Sequence, residues 1–285
     1  VAQELNNPLR KYFRQPKIFL TLPSKGRFYP PSAINMPESN ELPIYALTAK
    51  DEMLMKTPDA LLNGEATVDV IRSCVPDILN PWHIPQIDLD ALMIAIRMAS
   101  YGEKLTLTTK VPVIGEERDY EVNLRELLDT LIGLEYDPFI LLENEITVEV
   151  RPLTYKEFTA NAQKTFQEQR IFKIVDDASM PDDEKLVHFN TAFRKLTDFT
   201  IDLLMMSVVS IDTPDGKVID KRQIREFFNN TDRSYFNKVM KHIDEMRKLS
   251  SIRPLKVIAP EEDVKLGVPE SYEIPITFDQ SNFFE

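Results

Sequence analysis

From Asp88 to Tyr101 apolar residues fall on every side of a helical projection. Leu89, Leu92, Met93, Ile94, Ala95, Ile96, Met98 and Ala99 leave no continuous polar face. A helix patterned in this way is buried all round, and Gly102 supplies its stop. It is the expected core of the first half of the chain. Elsewhere the period changes to two. Leu105-Thr106-Leu107-Thr108 alternates, Tyr120-Glu121-Val122-Asn123-Leu124 alternates back, and Pro112 and Gly115 mark a turn region between them. This pattern predicts a β-hairpin. Glu145-Ile146-Thr147-Val148-Glu149-Val150-Arg151 reads as a strand with one polar face. Leu255–Ile258 and Tyr272–Phe278 predict a second strand pair. The two hairpin regions echo each other, each with a strand, a proline turn, acidic residues and a strand opening on Tyr-Glu.

Helix starts concentrate between Thr48 and Pro76. Thr48 with Asp51 resembles a capping box, and Thr57 followed by Pro58 places a cap beside a first-turn proline. Asn63-Gly64 ends that short helix, Thr67 caps the next, and Pro76 closes it. So many tight helical turns build a shaped contact face rather than a pocket. Arg125 to Leu131 predicts a short helix. Thr154 with Glu157 opens a longer one that runs to about Val175, with Phe158, Ala162 and Phe166 on one face. Beyond a polar loop, Leu186, Phe189, Phe193, Leu196, Thr200, Leu203 and Ser207 repeat by threes and fours. That is a helix-packing seam, either internal or between subunits. Thr213-Pro214-Asp215-Gly216 is a turn, and Asp220 with Gln223 caps a helix through about Phe228. A final helix, about Asp232 to Leu249, carries Phe236, Val239, Met240, Ile243 and Met246.

The N-terminal stretch behaves differently. Pro8, Pro16, Pro23, Pro30, Pro31, Pro37 and Pro43 leave no room for a long helix, so residues 1–45 read as an extended arm. Within it Lys17–Leu22 alternates weakly as a strand, and Leu22–Pro30 turns at Gly26. Such an arm either packs on its own domain or reaches a neighbour. The expected fold class is α+β: a helical core with antiparallel β-hairpins and this N-terminal arm. The divisions are 1–45 for the arm, 46–153 for a helical core with a hairpin, 154–250 for a helical region, and 251–285 for a C-terminal hairpin and Phe-Phe tail.

Composition narrows the chemistry. The 285 residues carry a net charge of -12, which argues against nucleic acid as a main partner. The dense cations Arg10, Lys11, Arg14, Lys17, Lys25 and Arg27 read as a solvated or salt-bridging arm. The single cysteine, Cys74, excludes an intrachain disulfide. No long apolar run exists, so a soluble protein made in a cytoplasm, without membrane insertion, is expected. Seven glycines leave little material for phosphate loops, and neither G-x-x-x-x-G-K-[ST], G-x-G-x-x-G nor G-x-S-x-G occurs. His83, His188 and His242 have no ligand-spaced partner. Asp212–Gly216 imitates a calcium loop, but aligning Gly216 with the invariant glycine puts Ile211, Lys217 and Arg222 at ligand positions, which excludes it. Asp182-Asp183-Glu184 is accounted for as carboxylates at a helix N-terminus.

Several blocks carry a family resemblance. They are Leu22–Pro30 (LPSKGRFYP), Thr48–Glu52 (TAKDE), Thr57–Gly64 (TPDALLNG), Ser73–Pro76 (SCVP), Asp88-Leu89-Asp90, Ala99–Gly102 (ASYG), Pro152–Tyr155 (PLTY) and Phe278–Phe284 (FDQSNFF). In order along the chain, they resemble the baseplate protein family of T-even-like contractile-tailed phages, often described as the baseplate hub subunit. The resemblance implies a non-enzymatic structural protein of the virion tail, without cofactor or metal, that contacts other baseplate or tail proteins or further copies of itself. The alternative it leaves open is a hub or tail assembly factor that binds other tail proteins transiently and is absent from the virion. Candidate partner-binding residues are Lys25, Arg27, Phe28, Tyr29, Phe278, Phe283 and Phe284. Family members carry C-P-x-C-like pairs in the two hairpins, resembling a zinc ribbon. Here those places read Val111-Pro112-Val113-Ile114 and Ala259-Pro260-Glu261-Glu262, without thiolates or imidazoles, so hairpins held by packing are expected. The two terminal phenylalanines gain roughly 2 kcal/mol each if buried. Truncation after Asp279 is therefore expected to weaken assembly while leaving the fold largely intact. Unchanged incorporation of the truncated chain into particles would remove the tail from the contact set.

Overall fold

Helix α3 (Gln86–Tyr101) organises the first half of the chain. In this computed structural model, which describes residues 8–56, 64–175 and 200–276 and only the backbone over 166–175, its flanks are covered on every side. Ala91, Leu92, Ile94, Ala95 and Ile96 have no exposed surface. Gly102 takes φ 93 at its C-terminal end, a left-handed conformation open to glycine. Two preceding helices, α1 (Ala49–Met55) and α2 (Glu65–Cys74), and the following helix α4 (Leu124–Ile132) pack in the same cluster.

The proline-rich N-terminal stretch packs on its own domain from Arg14 onward. Strands β1 (Ile18–Leu20) and β2 (Leu42–Ile44) pair antiparallel, Ile18 opposite Ile44. They bring Leu20, Leu42 and Ile44 into the core at 0–1% exposure. Strands β3 (Lys104–Lys110) and β4 (Glu117–Asn123) form the expected hairpin, Leu105 opposite Val122 and Leu107 opposite Tyr120. Its inward positions join the α3 cluster because period-two alternation puts them all on one face.

A second cluster is built on a four-stranded antiparallel sheet of β5 (Phe139–Leu141), β6 (Thr147–Val150), β7 (Val208–Thr213) and β8 (Gly216–Val218), in that order. Ile140, Val148, Val150, Val208 and Ile211 share its buried face. They are covered by Leu204 and Met205 of the helical turn 200–207, by Ile224 and Phe228 of α6 (Lys221–Asn230) and by Val239 of α7 (Arg233–Leu249). Helix α5 (Tyr155–Val175) begins beside the start of α3: the Gln86 N–H donates to Leu153 O and the Tyr155 N–H to Ile84 O, each at 2.8 Å.

The tail of the described chain forms β9 (Leu255–Ile258), the short helix α8 (Glu261–Lys265) and β10 (Ser271–Ile274). Strands β9 and β10 pair antiparallel, and this hairpin packs on the β3–β4 hairpin. Val111, Ala259 and Val268 are buried between them with Ile114 and Val264 against them. Arg118 reaches Asp263 at 2.6 Å, and the Tyr120 and Tyr272 hydroxyls meet at 2.6 Å.

Most local signals act as read. Thr48 and Asp51 cap α1 reciprocally, as do Thr154 and Glu157 ahead of α5. Asp220 accepts from the Arg222 and Gln223 N–H groups. Thr67 behaves differently: α2 starts earlier, at Glu65, with Gly64 as its N-cap at φ 81, and the Thr67 side chain hydrogen-bonds Tyr155 instead. The Thr57-Pro58 helix start, most of the Leu186–Ser207 seam, and Phe278, Phe283 and Phe284 lie outside the described residues.

Gly64 joins the two halves by close approach. A Cβ there would stand 2.9 Å from Tyr155 Oη and 3.2 Å from Thr159 Oγ1, on a left-handed backbone. Gly64→Ala is therefore expected to destabilise the protein by about 2 kcal/mol. Urea unfolding measures it, and an unchanged midpoint would show that α5 moves aside without loss.

Candidate functional site

Loop 22–30 is held by a buried carboxylate. Asp88, in the first turn of α3, is fully buried, and so is Ser24. The Ser24 N–H donates to Asp88 Oδ1 at 2.7 Å and the Ser24 hydroxyl to Oδ2 at 2.5 Å. Ser24 in turn organises the next residues of the loop. Its Oγ accepts from the Gly26 N–H at 3.1 Å, and its carbonyl accepts from the Arg27 N–H at 3.1 Å and Arg27 Nε at 3.2 Å. These bonds sustain three left-handed residues within four: Lys25 at φ 55, Gly26 at φ 76 and Phe28 at φ 72. Each left-handed non-glycine costs on the order of 1 kcal/mol, so the loop holds this shape only because its surroundings impose it.

The result sorts the four candidate residues of the loop. Lys25 and Arg27 are exposed, and Phe28 and Tyr29 are half-buried. The Phe28 ring stands edge-on to Tyr136, centroids 5.3 Å apart, with the Arg27 guanidinium 5.4 Å from its centroid. Tyr29 packs against the α3 cluster and turns its hydroxyl inward, toward Asp88 but short of good hydrogen-bond geometry. The outward chemistry of the loop is thus a pair of cations beside an aromatic edge. Phe278, Phe283 and Phe284 lie outside the described residues and are not placed against it.

Burial dominates the electrostatics of this anchor. It pushes the Asp88 carboxyl up to about 6, against the lowering effect of the two Ser24 hydrogen bonds and of Tyr29. Burial and the neighbouring Asp88 carboxylate both raise the Tyr29 hydroxyl well above its ordinary value. Cys74 is likewise pushed up, to about 11, by burial and then by Asp51, so its thiol stays protonated and unreactive at neutral pH.

Of the two readings of the basic N-terminal run, Arg14 takes the salt-bridging one and is part of the fold. Its Nη2 donates to Ser73 O at 2.6 Å and Ser73 Oγ at 2.7 Å, and its Nη1 donates to Ala46 O and faces Asp51 at 3.6 Å. The capping carboxylate of α1 therefore also neutralises the arginine that fastens the N-terminal segment. Just before it, Leu9, Tyr12 and Phe13 are exposed at 60%, 73% and 56%.

A narrow concavity lies under α7 between the two clusters, and two wider, shallow hollows of about 360 and 330 Å³ lie on the surface beside Lys221, Arg225 and Asn229 and beside Thr48, Asp51 and Arg72. The narrow one is lined by Gln86, Ile87, Tyr136, Arg151, Met240 and Arg247, among others, and has room for about 70 Å³. That is space for a few waters, against roughly 300 Å³ or more for a small-molecule pocket. Its arginines are already engaged, Arg151 bidentate to Glu157 at 2.7 and 2.9 Å and Arg247 to Asp244 at 3.0 Å. The Thr213–Gly216 turn is a tight β7–β8 connection in which Lys217 lies 3.8 Å from Asp212. His242 meets the Asp137 carbonyl at 2.9 Å. The cluster between the two hairpins does not fit zinc: its members are valine, alanine, isoleucine and Tyr272, whose hydroxyl meets Tyr120, and the adjacent Asp263 is bonded to Arg118. Among the described residues no group of three His, Cys, Asp or Glu side chains is placed to hold a metal ion, and no helix is long and apolar enough to cross a membrane.

Residues 15–266 match the family described as T4 bacteriophage base plate protein. That match spans well over half of the chain, and the chain belongs to this family. No curated protein and no solved structure matches it.

The Asp88 anchor has a pH signature. The folded state keeps the Asp88 proton up to about pH 6, while an unfolded aspartate releases it near 3.8. The folded state therefore binds more protons over that window, and stability falls as pH rises through it. Asp88→Asn is expected to abolish this fall, so that the variant gains on the natural protein by up to about 3 kcal/mol between pH 4 and pH 7. Urea unfolding of the two proteins at each pH tests it. Parallel curves would mean that Asp88 titrates at its ordinary value.

Proposed function

We propose that this member of the T4 bacteriophage base plate protein family is a non-enzymatic structural subunit of the hub region of a contractile-tail baseplate. It works by presenting fixed surfaces to neighbouring tail proteins. The observation that carries this reading is the loop of Lys25 and Arg27, held rigid by Ser24 on Asp88 within the residues that the family match covers. A strained loop imposed by a buried anchor costs stability, and such cost is characteristic of functional positions. Preorganised cations also bind with less loss of side-chain freedom than mobile ones. The loop suits an acidic or carboxylate-bearing partner surface, with Phe28 adding an apolar edge.

Quantitative mass spectrometry of gradient-purified virions tests the proposal. A fixed copy number per particle is expected. Absence from virions, with presence in assembly intermediates of infected cells, would make the chain a transient assembly factor instead. In phage carrying Lys25→Glu and Arg27→Glu together, incorporation is expected to fall at least about tenfold while the isolated protein still folds and unfolds cooperatively. Undiminished incorporation would remove the loop from the contact surface.

A further inference from the structure

Among the described residues, the β5–β8 sheet ends at β5 in an open edge of unusual chemistry. In the β5–β6 pair the Val150 N–H donates to Pro138 O and the Leu142 N–H to Ile146 O, each at 2.7 Å. Phe139 opposite Glu149 and Leu141 opposite Thr147 are therefore the non-hydrogen-bonded pairs of the ladder. Their main-chain groups point away from β6. The Asp137 carboxylate accepts from the Phe139 N–H at 3.0 Å. The Phe139 carbonyl and the Leu141 N–H and carbonyl have no partner among the described residues.

The side chains on this edge are apolar in the middle and acidic at both ends. Phe139 is 53% exposed and Leu141 65%. The same alternation runs beyond the strand: Glu135, Asp137 and Glu143 are exposed, while Ile140 and Leu142 are buried. None of those three carboxylates has an ion-pair partner among the described residues. Glu149, behind them on the same face, is already taken by Lys217 at 2.8 Å and Ser210 at 2.7 Å.

We infer that the outer edge of β5 is a docking strand for an extended segment of another protein, one in which two alternate apolar residues are bounded by lysine or arginine. Main-chain hydrogen bonds to Phe139 and Leu141 would add the incoming strand, and side-chain alternation would set its register. Charge selects the partner. A second copy of this chain pairing antiparallel across the edge sets Asp137 against Glu143, and like charges placed opposite each other are destabilising. A strand with cations in those places meets Asp137 and Glu143 favourably and covers Phe139 and Leu141 with its apolar residues.

Binding of three labelled peptides to the full chain, read by fluorescence anisotropy, tests this. The peptides are Lys-Thr-Ile-Thr-Ile-Thr-Lys, its acidic counterpart Glu-Thr-Ile-Thr-Ile-Thr-Glu, and the apolar-depleted Lys-Thr-Ser-Thr-Ser-Thr-Lys. The first is expected to bind at least about tenfold more tightly than either of the others and to weaken as salt is raised. Leu141→Pro, which removes an outward N–H and the leucine side chain together, is expected to abolish that preference. The exposed pair Phe139→Lys with Leu141→Lys serves if the proline variant fails to fold, and is expected to lose at least about tenfold in affinity for the first peptide. Absent binding of the first peptide, equal binding of all three, or unchanged binding to the edge variants would overturn the inference and leave the acidic flanks as a guard against aggregation. Concentration-dependent dimerisation that the same variants abolish would overturn it in favour of a second copy.

Discussion

An apolar helix with no polar face cannot stand at a surface, and the need to cover α3 shapes the rest of the first half of the molecule. Burying one large aliphatic side chain is worth roughly 2 kcal/mol, so leaving any flank of this helix in water costs several. The chain supplies cover from four directions: the β1–β2 pair, helix α2, the β3–β4 hairpin and α4, all in one cluster. The Pro-rich N-terminal segment is drawn into this wrapping, because β1 and β2 supply Leu20, Leu42 and Ile44. The same constraint buries Asp88. A carboxylate in the first turn of such a helix has no water to face, so it takes the backbone and hydroxyl of Ser24, and a surface loop is thereby fixed from below.

A single device recurs at two other places. In Thr48–Asp51 and in Thr154–Glu157, the carboxylate that closes a capping box also receives an arginine from outside the helix. Asp51 lies 3.6 Å from Arg14, and Glu157 holds Arg151 with both oxygens. A helix N-terminus favours the charged carboxylate, and the arginine favours it again. Consistent with this, Glu157 is held below its ordinary value, with its hydrogen bonds to Arg151 and Thr154 outweighing burial. The first cap thus fixes a helix start and a distant segment together, and the second ties the start of α5 to the end of β6 just before it.

The sequence disclosed those parts of the structure that depend on near neighbours. Capping boxes, Gly102, the β3–β4 alternation and the all-round burial of α3 are local or periodic, and each is visible in the residues that form it. What escaped depends on remote partners. Strand β2 carries Pro43 and is defined only by β1 opposite it. Strand β5 lies within Asp137-Pro138-Phe139-Ile140-Leu141-Leu142, where apolar residues run together and hide the alternation. It becomes visible only once β6 selects one face. Helix α8 is a single short stretch after a proline, too brief for periodicity to show. Thr67 could be read as a cap because nothing local reveals that Tyr155 takes its hydroxyl. In the candidate loop, LPSKGRFYP announced a turn at Gly26. Its partner Asp88 lies 64 positions away from Ser24, and that long-range bond decides which residues face out. Tyr29 looked as available as Phe28 because inward and outward are set by the anchor and not by residue type.

The contact between the two hairpins shows what such remote pairing requires. Arg118 and Asp263 are 145 positions apart, and closing a loop of that length costs about 4 kcal/mol beyond the length-independent cost of closure. Arg118 is about one-third exposed, and an ion pair of that kind contributes little by itself. Closure therefore has to come from apolar burial. Val111, Ala259 and Val268 supply some of it between the hairpins, and Ile274 and Ile276 supply more by entering the α3 cluster at 4% and 8% exposure. The polar contacts then define register: one arginine, one aspartate and two tyrosine hydroxyls meet in a single arrangement of the hairpins. An apolar cluster alone tolerates sliding, and a metal would impose geometry through its ligands. Here complementary polar contacts around a small apolar centre perform that ordering, and β4 and β10 face each other through Tyr120 and Tyr272.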